Sequence, residues 1–171
     1  MTPTTLEAHR LAPHDWVPNH PQFPVLCYRS VVQAEDGETL ARHFEQALGA
    51  HDWPAQWRDG IFSYHHYHSS AHEALGVARG HARLMLGGPG GIELAVAPGD
   101  LLVLPAGTGH CCLHCSDDFL VVGAYPTGQV FDICRSAADE AMLRRIAALP
   151  APQQDPCTGG AGPLTQRWRK H

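Results

Sequence analysis

The stretch GIFSYHHYHSSAHEALGVARG, residues 60–80, decides how this chain is read, because five histidines fall in the 17 residues from His65 to His81. Side chains at i and i+2 share a face of an extended strand, so His66 and His68 point one way while His65 and Tyr67 point the other. Glu73 lies an odd number of residues beyond His68 and would face away on an unbroken strand. A turn or bulge at Ser69–Ala71 brings it back beside the two imidazoles and leaves His72 facing away. A second stretch, GDLLVLPAGTGHCCLHC at residues 99–115, turns at Pro105-Ala106-Gly107 and opens its next strand with His110. Alternation puts His110, Cys112 and His114 on one face of that strand and Cys111, Leu113 and Cys115 on the other.

Taken singly, a strand histidine is more often a satisfied core or surface residue than a ligand, and His43, His51, His65 and His81 are read that way. The joint spacing of His66, His68, Glu73 and His110 is what points to a metal. Cys112-x-x-Cys115 suggests structural zinc, but no second C-x-x-C exists to close a four-ligand site, and strand alternation separates the two thiols. Cys112 and His114 stand close enough for a Cys–His pair, although packing is the commoner role of such a thiol.

Working outward, residues 60–125 form short apolar or alternating runs separated by GGPGG, APGD, PAGTG and SDD. Many short strands with Gly/Pro turns indicate an antiparallel sandwich or barrel. In EDGETLARHFEQALG, Leu40, Phe44 and Leu48 share a helical face, with Asp36 as N-cap and Gly49 as stop. SAADEAMLRRIAAL gives a second helix, with Ser136 three residues before Asp139 at its start and Pro150 at its end. The expected organisation is an extended arm over 1–24, a barrel over 25–135 with a helix inserted near 37–49, and a C-terminal helix and tail over 136–171 packed on the barrel. That tail, Gly/Pro-rich at first, is an ordered strap only if Leu164 and Trp168 dock.

With 171 residues the chain is long enough for one well-sized core. A net charge of −5 gives none of the basic footprint of a nucleic-acid binder. No apolar run approaches a membrane span, and the N-terminus lacks the pattern of a signal peptide, so the expectation is a soluble, cytoplasmic protein. Its six cysteines then read as reduced thiols.

Two motifs carry a family resemblance. Gly60, five residues, His66-x-His68, four residues, Glu73, six residues and Gly80 resemble the first cupin motif. Gly99, five residues, Pro105-x-Gly107, two residues and His110 resemble the second. Beyond the motifs, FPVLCYR, VVGAYP and DPCTGGAGPL are similar to the YjlB-like cupins over nearly the entire chain. The resemblance implies an all-β double-stranded β-helix, a jelly-roll-like barrel with two flanking α-helices, and metal ligation by His66, His68, Glu73 and His110. Three imidazoles and a carboxylate suit one divalent transition ion, Fe, Mn, Ni, Co or Zn. Such a site acts on a small polar or oxygenated organic molecule, with dioxygenase-type chemistry ahead of isomerase or decarboxylase chemistry and a non-catalytic sensing module as the rival. The usual second motif has Asn where His114 stands. His114, on that ground, and Tyr64, on the same strand face as His66 and His68, are the candidate acid–base or supporting residues. A homodimer formed along a barrel edge is a further expectation.

Overall fold

The computed structural model describes residues 1–169; Lys170 and His171, the end of the expected tail, lie outside the described residues. Among the described residues, nine strands form two antiparallel sheets. The larger has the order β1-β2-β7-β4-β9-β3, from β1 (Thr5–His9), β2 (Val25–Arg29), β3 (Ala55–Asp59), β4 (Glu73–Arg79), β7 (Leu101–Leu104) and β9 (Leu120–Ala124). The smaller has the order β6-β5-β8, from β5 (Ala82–Leu86), β6 (Ile92–Val96) and β8 (His110–Cys115). Val25, Cys27, Leu75, Val77, Leu102 and Leu104 of the first sheet pack with Leu84, Leu86, Leu94 and Cys112 of the second. The fold is thus an all-β jelly-roll barrel with its core between the sheets.

The large sheet is covered on its outer face as well. Leu40, Phe44 and Leu48 of helix α1 (Gly37–Ala50), with Leu164 and Trp168 of the tail, pack on Leu26, Tyr28, Leu101, Val103 and Val122. Strands buried on both faces lose alternation, which is why VLCY and LLVL read as continuous apolar runs. Asp36 caps α1, its side chain accepting from the Thr39 amide at 2.8 Å. Gly49 falls inside the helix rather than ending it.

The tail does dock: Trp168 stacks on Phe23 with centroids 5.2 Å apart, and its indole nitrogen donates to Pro24 O at 2.9 Å. A short helix α3 (Pro163–Arg167), absent from the sequence reading, carries Leu164 into the core. Helix α2 (Glu140–Ala148) starts three residues later than expected. Its cap is Asp139, which accepts from the Met142 amide, not Ser136, whose carbonyl instead takes the Tyr67 hydroxyl. The arm over 1–24 contributes β1, fully paired to β2 at the sheet edge.

Two local departures bear on the site. Residues 61–72 do not form a regular strand. They are an extended connection held by isolated bridges from His66 to His110 and from Tyr67 to Cys134, with a bend at Ser69–Ser70. Strand β8 bulges at Leu113, since Leu84 pairs with Cys112 and the next residue, Arg83, pairs with His114. The extra residue inverts the alternation beyond it. His114 therefore leaves the His110 face and lies exposed opposite Arg83. Cys112 and Cys115, expected on opposite faces, pair with Leu84 and Ala82 on the same one. Among the described residues no helix is long and apolar enough to cross a membrane.

Candidate metal centre

Four buried side chains meet at one end of the barrel, where the seam between the sheets opens. Glu73 is the first residue of β4 and shares the inward face with Leu75 and Val77, while Ala74 and Ala78 point out towards α1. His110 is the first residue of β8, directly after the Pro105–Gly109 turn. Gly107 makes that turn possible: its φ is +88°, and a Cβ there would stand 3.0 Å from Asn19 O. The same glycine donates its amide to His68 O at 2.7 Å, tying the turn to the histidine connection. The bend at Ser69–Ser70 then carries the chain from His68 into Glu73.

One nitrogen from each of His66, His68 and His110 lies within 4.8 Å of the others, a group able to hold a metal ion. Their Nδ1 atoms face backbone carbonyls: Tyr64 O at 3.1 Å for His66, Asp132 O for His68 and Thr108 O at 3.0 Å for His110. A carbonyl can only accept, so each Nδ1 carries a proton and each ring, when neutral, presents a bare Nε2 lone pair. Glu73 Oε2 lies 3.3 Å from His68 Nε2 and 3.1 Å from His110 Nε2. Oε2 and His68 Nε2 are both buried, and neither is aligned in a hydrogen bond. Lone pairs facing each other at that distance repel unless a cation or a proton stands between them. The donor set therefore fits a divalent transition ion.

The electrostatics favour positive charge beside the Glu73 carboxylate, which a metal cation or a proton on His68 supplies. Burial, with His110 nearby, pushes His66 down to about 3, so its ring is neutral across the ordinary pH range. Burial pushes the Glu73 carboxyl up, but His68 and His110 outweigh it and hold the group well below the usual carboxylate range. Burial likewise opposes charge on His68, and the Glu73 carboxylate outweighs it in the other direction.

Three supporting residues went unread in the sequence. Tyr125 donates its hydroxyl to Glu73 Oε1 at 2.8 Å and accepts from the Trp57 indole at 2.9 Å, which leaves Oε2 directed at the imidazoles. Asp132 anchors the connection. Its carbonyl receives His68 Nδ1, and its carboxylate receives the amide of Ser69 at 2.6 Å and the Ser69 hydroxyl. Arg145 of α2 reaches the same group at 3.5 Å. The only signals for Tyr125 and Asp132 were their places in VVGAYP and just after the last strand; nothing local marks either as a partner of Glu73 or His68.

Of the two expected acid–base residues, neither enters the cavity over the cluster. His114 lies on the outer face beyond the bulge. Tyr64 stacks on Phe62 at 4.7 Å with the Arg135 guanidinium 3.7 Å over its ring, and it contributes its carbonyl to His66. His72 faces away, accepting from the Ala106 amide and standing 3.2 Å from Pro150 O. His65 also faces away, 3.6 Å from Cys111 Sγ. His81 is exposed. Above the cluster opens a cavity of about 290 Å³, walled by residues that include Trp57, Phe62, Leu75, Tyr125, Phe131 and Ile133.

Among known proteins, the uncharacterized protein YjlB of Bacillus subtilis (strain 168) is 38% identical over 156 residues, covering 90% of this chain and 91% of YjlB. The chain belongs to the YjlB family. No family model matches it. Among solved structures, Streptomyces albus HEPD with substrate 2-hydroxyethylphosphonate and Fe(II) bound aligns with a TM-score of 0.28 at 11% identity. That alignment covers 85% of this chain, which spans only 28% of the HEPD chain, and nothing of that enzyme's chemistry carries over to the YjlB-family site on such a likeness.

Proposed function

We propose that this YjlB-family chain is a cupin that holds one divalent transition metal through His66, His68, Glu73 and His110 and uses it on a small organic molecule bound in the adjoining cavity. The observation that carries the reading is the commitment of all three Nδ1 atoms to carbonyls, which turns the three Nε2 atoms towards Glu73 and leaves His68 Nε2 and Glu73 Oε2 buried without a hydrogen-bond partner. A barrel core has no structural reason to bury two such atoms side by side. When bound, the metal supplies Lewis acidity, a template for a substrate donor atom and, if it is Fe(II), a site for dioxygen-dependent chemistry. We place dioxygenase-type oxidation first among the reactions.

The chain's own residues do the rest. The carbonyls of Tyr64, Thr108 and Asp132 fix the ring tautomers and orientations. Tyr125, itself held by Trp57, fixes the carboxylate. The apolar walls exclude water, which strengthens every charge interaction inside. Anaerobic loading with Fe(II), elemental analysis, and oxygen uptake over small alcohols, diols, thiols and keto acids test the proposal. The expected result is about one bound ion per chain, lost in His66→Ala, and uptake with one substrate class. Stoichiometric metal without turnover on any substrate would favour a binding or sensing module. Equal metal content in wild type and His66→Ala would overturn the site.

A further inference from the structure

The walls of the cavity specify what kind of molecule fits above the cluster. Its volume, about 290 Å³, is at the small end of ligand pockets. Away from the cluster, Trp57, Ile61, Phe62, Leu75, Phe131 and Ile133 make the lining mostly apolar, and among the described residues no lysine or arginine lines it. The polar groups present are already engaged. The Tyr125 hydroxyl donates to Glu73 and accepts from Trp57, which uses the indole N–H as well. Asp59, the remaining charged group, sits exposed at the rim and takes the Gly60 amide at 2.7 Å. Tyr125 and Phe131 stack with centroids 4.5 Å apart and form a flat aromatic wall. Phe62 and Ile133, 45% and 46% exposed, extend the apolar lining to the mouth.

A ligand seated there finds one place for a donor atom, at the metal, and no cationic side chain to pair with a negative charge elsewhere in the ligand. An unpaired polar group buried in such a lining costs roughly 1–3 kcal/mol, and a charge costs more. We infer that the cavity takes a one-headed ligand: an uncharged aromatic or hydrocarbon body of about one ring, carrying a single hydroxyl or thiol directed at the cluster. Molecules that carry a further anionic group, such as amino acids, dicarboxylates and phosphates, are disfavoured. The inference rests on the metal reading above for the role of the head group, and on the cavity walls alone for the body.

The test uses Co(II)-loaded protein, whose visible spectrum reports a new donor on the metal independently of turnover. After elemental analysis, benzyl mercaptan and 4-(mercaptomethyl)benzoate are titrated side by side, by that spectrum and by calorimetry. The expected result is at least about tenfold tighter binding of benzyl mercaptan, from one buried, unpaired charge. Ile133→Arg, at an exposed rim position where the fold tolerates the change, should shrink or reverse that ratio with little change in melting temperature. Equal or tighter binding of the carboxylated thiol by wild type, or no spectral response to either thiol, would overturn the ligand class while leaving the metal site standing. A protein that takes up no Co(II) would overturn the metal reading first and this inference with it.

Discussion

Replacing Tyr125 by Phe removes a single oxygen from the wall of the site. That oxygen is buried, donates to Glu73 Oε1 over 2.8 Å and accepts from Trp57 Nε1 over 2.9 Å. A hydrogen bond to a charged group contributes about 1.5–3 kcal/mol, and removal of a group that orients a metal ligand weakens metal binding by roughly 10–100-fold. The bond exists before the metal arrives, so much of its worth appears as folding stability, and only the share that keeps Oε2 directed at the imidazoles counts towards affinity. We therefore expect Tyr125→Phe to bind Zn(II) about tenfold more weakly, equivalent to about 1.4 kcal/mol. The metal-free variant should also lose about 1–2 kcal/mol of stability. Competition against a chromophoric chelator measures the first quantity, and urea denaturation of the metal-free proteins measures the second. Unchanged affinity would show that Tyr125 does not orient the carboxylate. A loss as complete as that of Glu73→Ala would show that the hydroxyl does more than orient it.

Other expectations follow from the same geometry. His114→Ala, on the exposed face beyond the bulge, should leave metal content unchanged and alter stability by less than about 0.5 kcal/mol in thermal melts, whereas His110→Ala should lose the metal. Asp132→Ala removes the acceptor of the Ser69 amide and loosens the carbonyl that orients His68; metal affinity should fall roughly tenfold, with a smaller fall in Asp132→Asn, read by the same competition assay. Gly123→Ala would place a Cβ 2.0 Å from the Trp57 ring, pushing that ring towards the cavity. It should cost about 1–3 kcal/mol and weaken ligand binding as well as stability, measured by calorimetry on the metal-loaded protein. Trp168→Ala empties the contact with Phe23 and Pro24 O and should destabilise by about 3–5 kcal/mol in denaturant without changing metal stoichiometry.

Much of the architecture was legible because it is written in short-range terms. Asp36 and the Leu40, Phe44, Leu48 face announced α1, and the Gly/Pro punctuation between residues 86 and 128 announced the strands. Less was legible where packing overrides local pattern. β1 shows little periodicity and is a strand because the edge of β2 pairs with it. α3 is only one turn and depends on the Asp155 carboxylate, which receives the Leu164 amide at 2.8 Å while also taking the Tyr28 hydroxyl. Ser136 looked like a helix cap, but its carbonyl is engaged by Tyr67, and Asp139 caps the helix instead.

The sequence by itself determined the four residues that meet at the barrel mouth, because their spacings encode alternation and turns that any extended chain obeys. It did not determine what surrounds them. Whether His114 joins the cluster depended on a bulge at Leu113, and a bulge is set by how β8 registers against β5, not by the residues of β8. The partners that make the site specific, Tyr125 on Glu73 and Asp132 on His68, come from 52 and 64 positions along the chain. Only the closed barrel brings those groups within a hydrogen bond of one another, since burial, register and long-range partnership are properties of the packed whole.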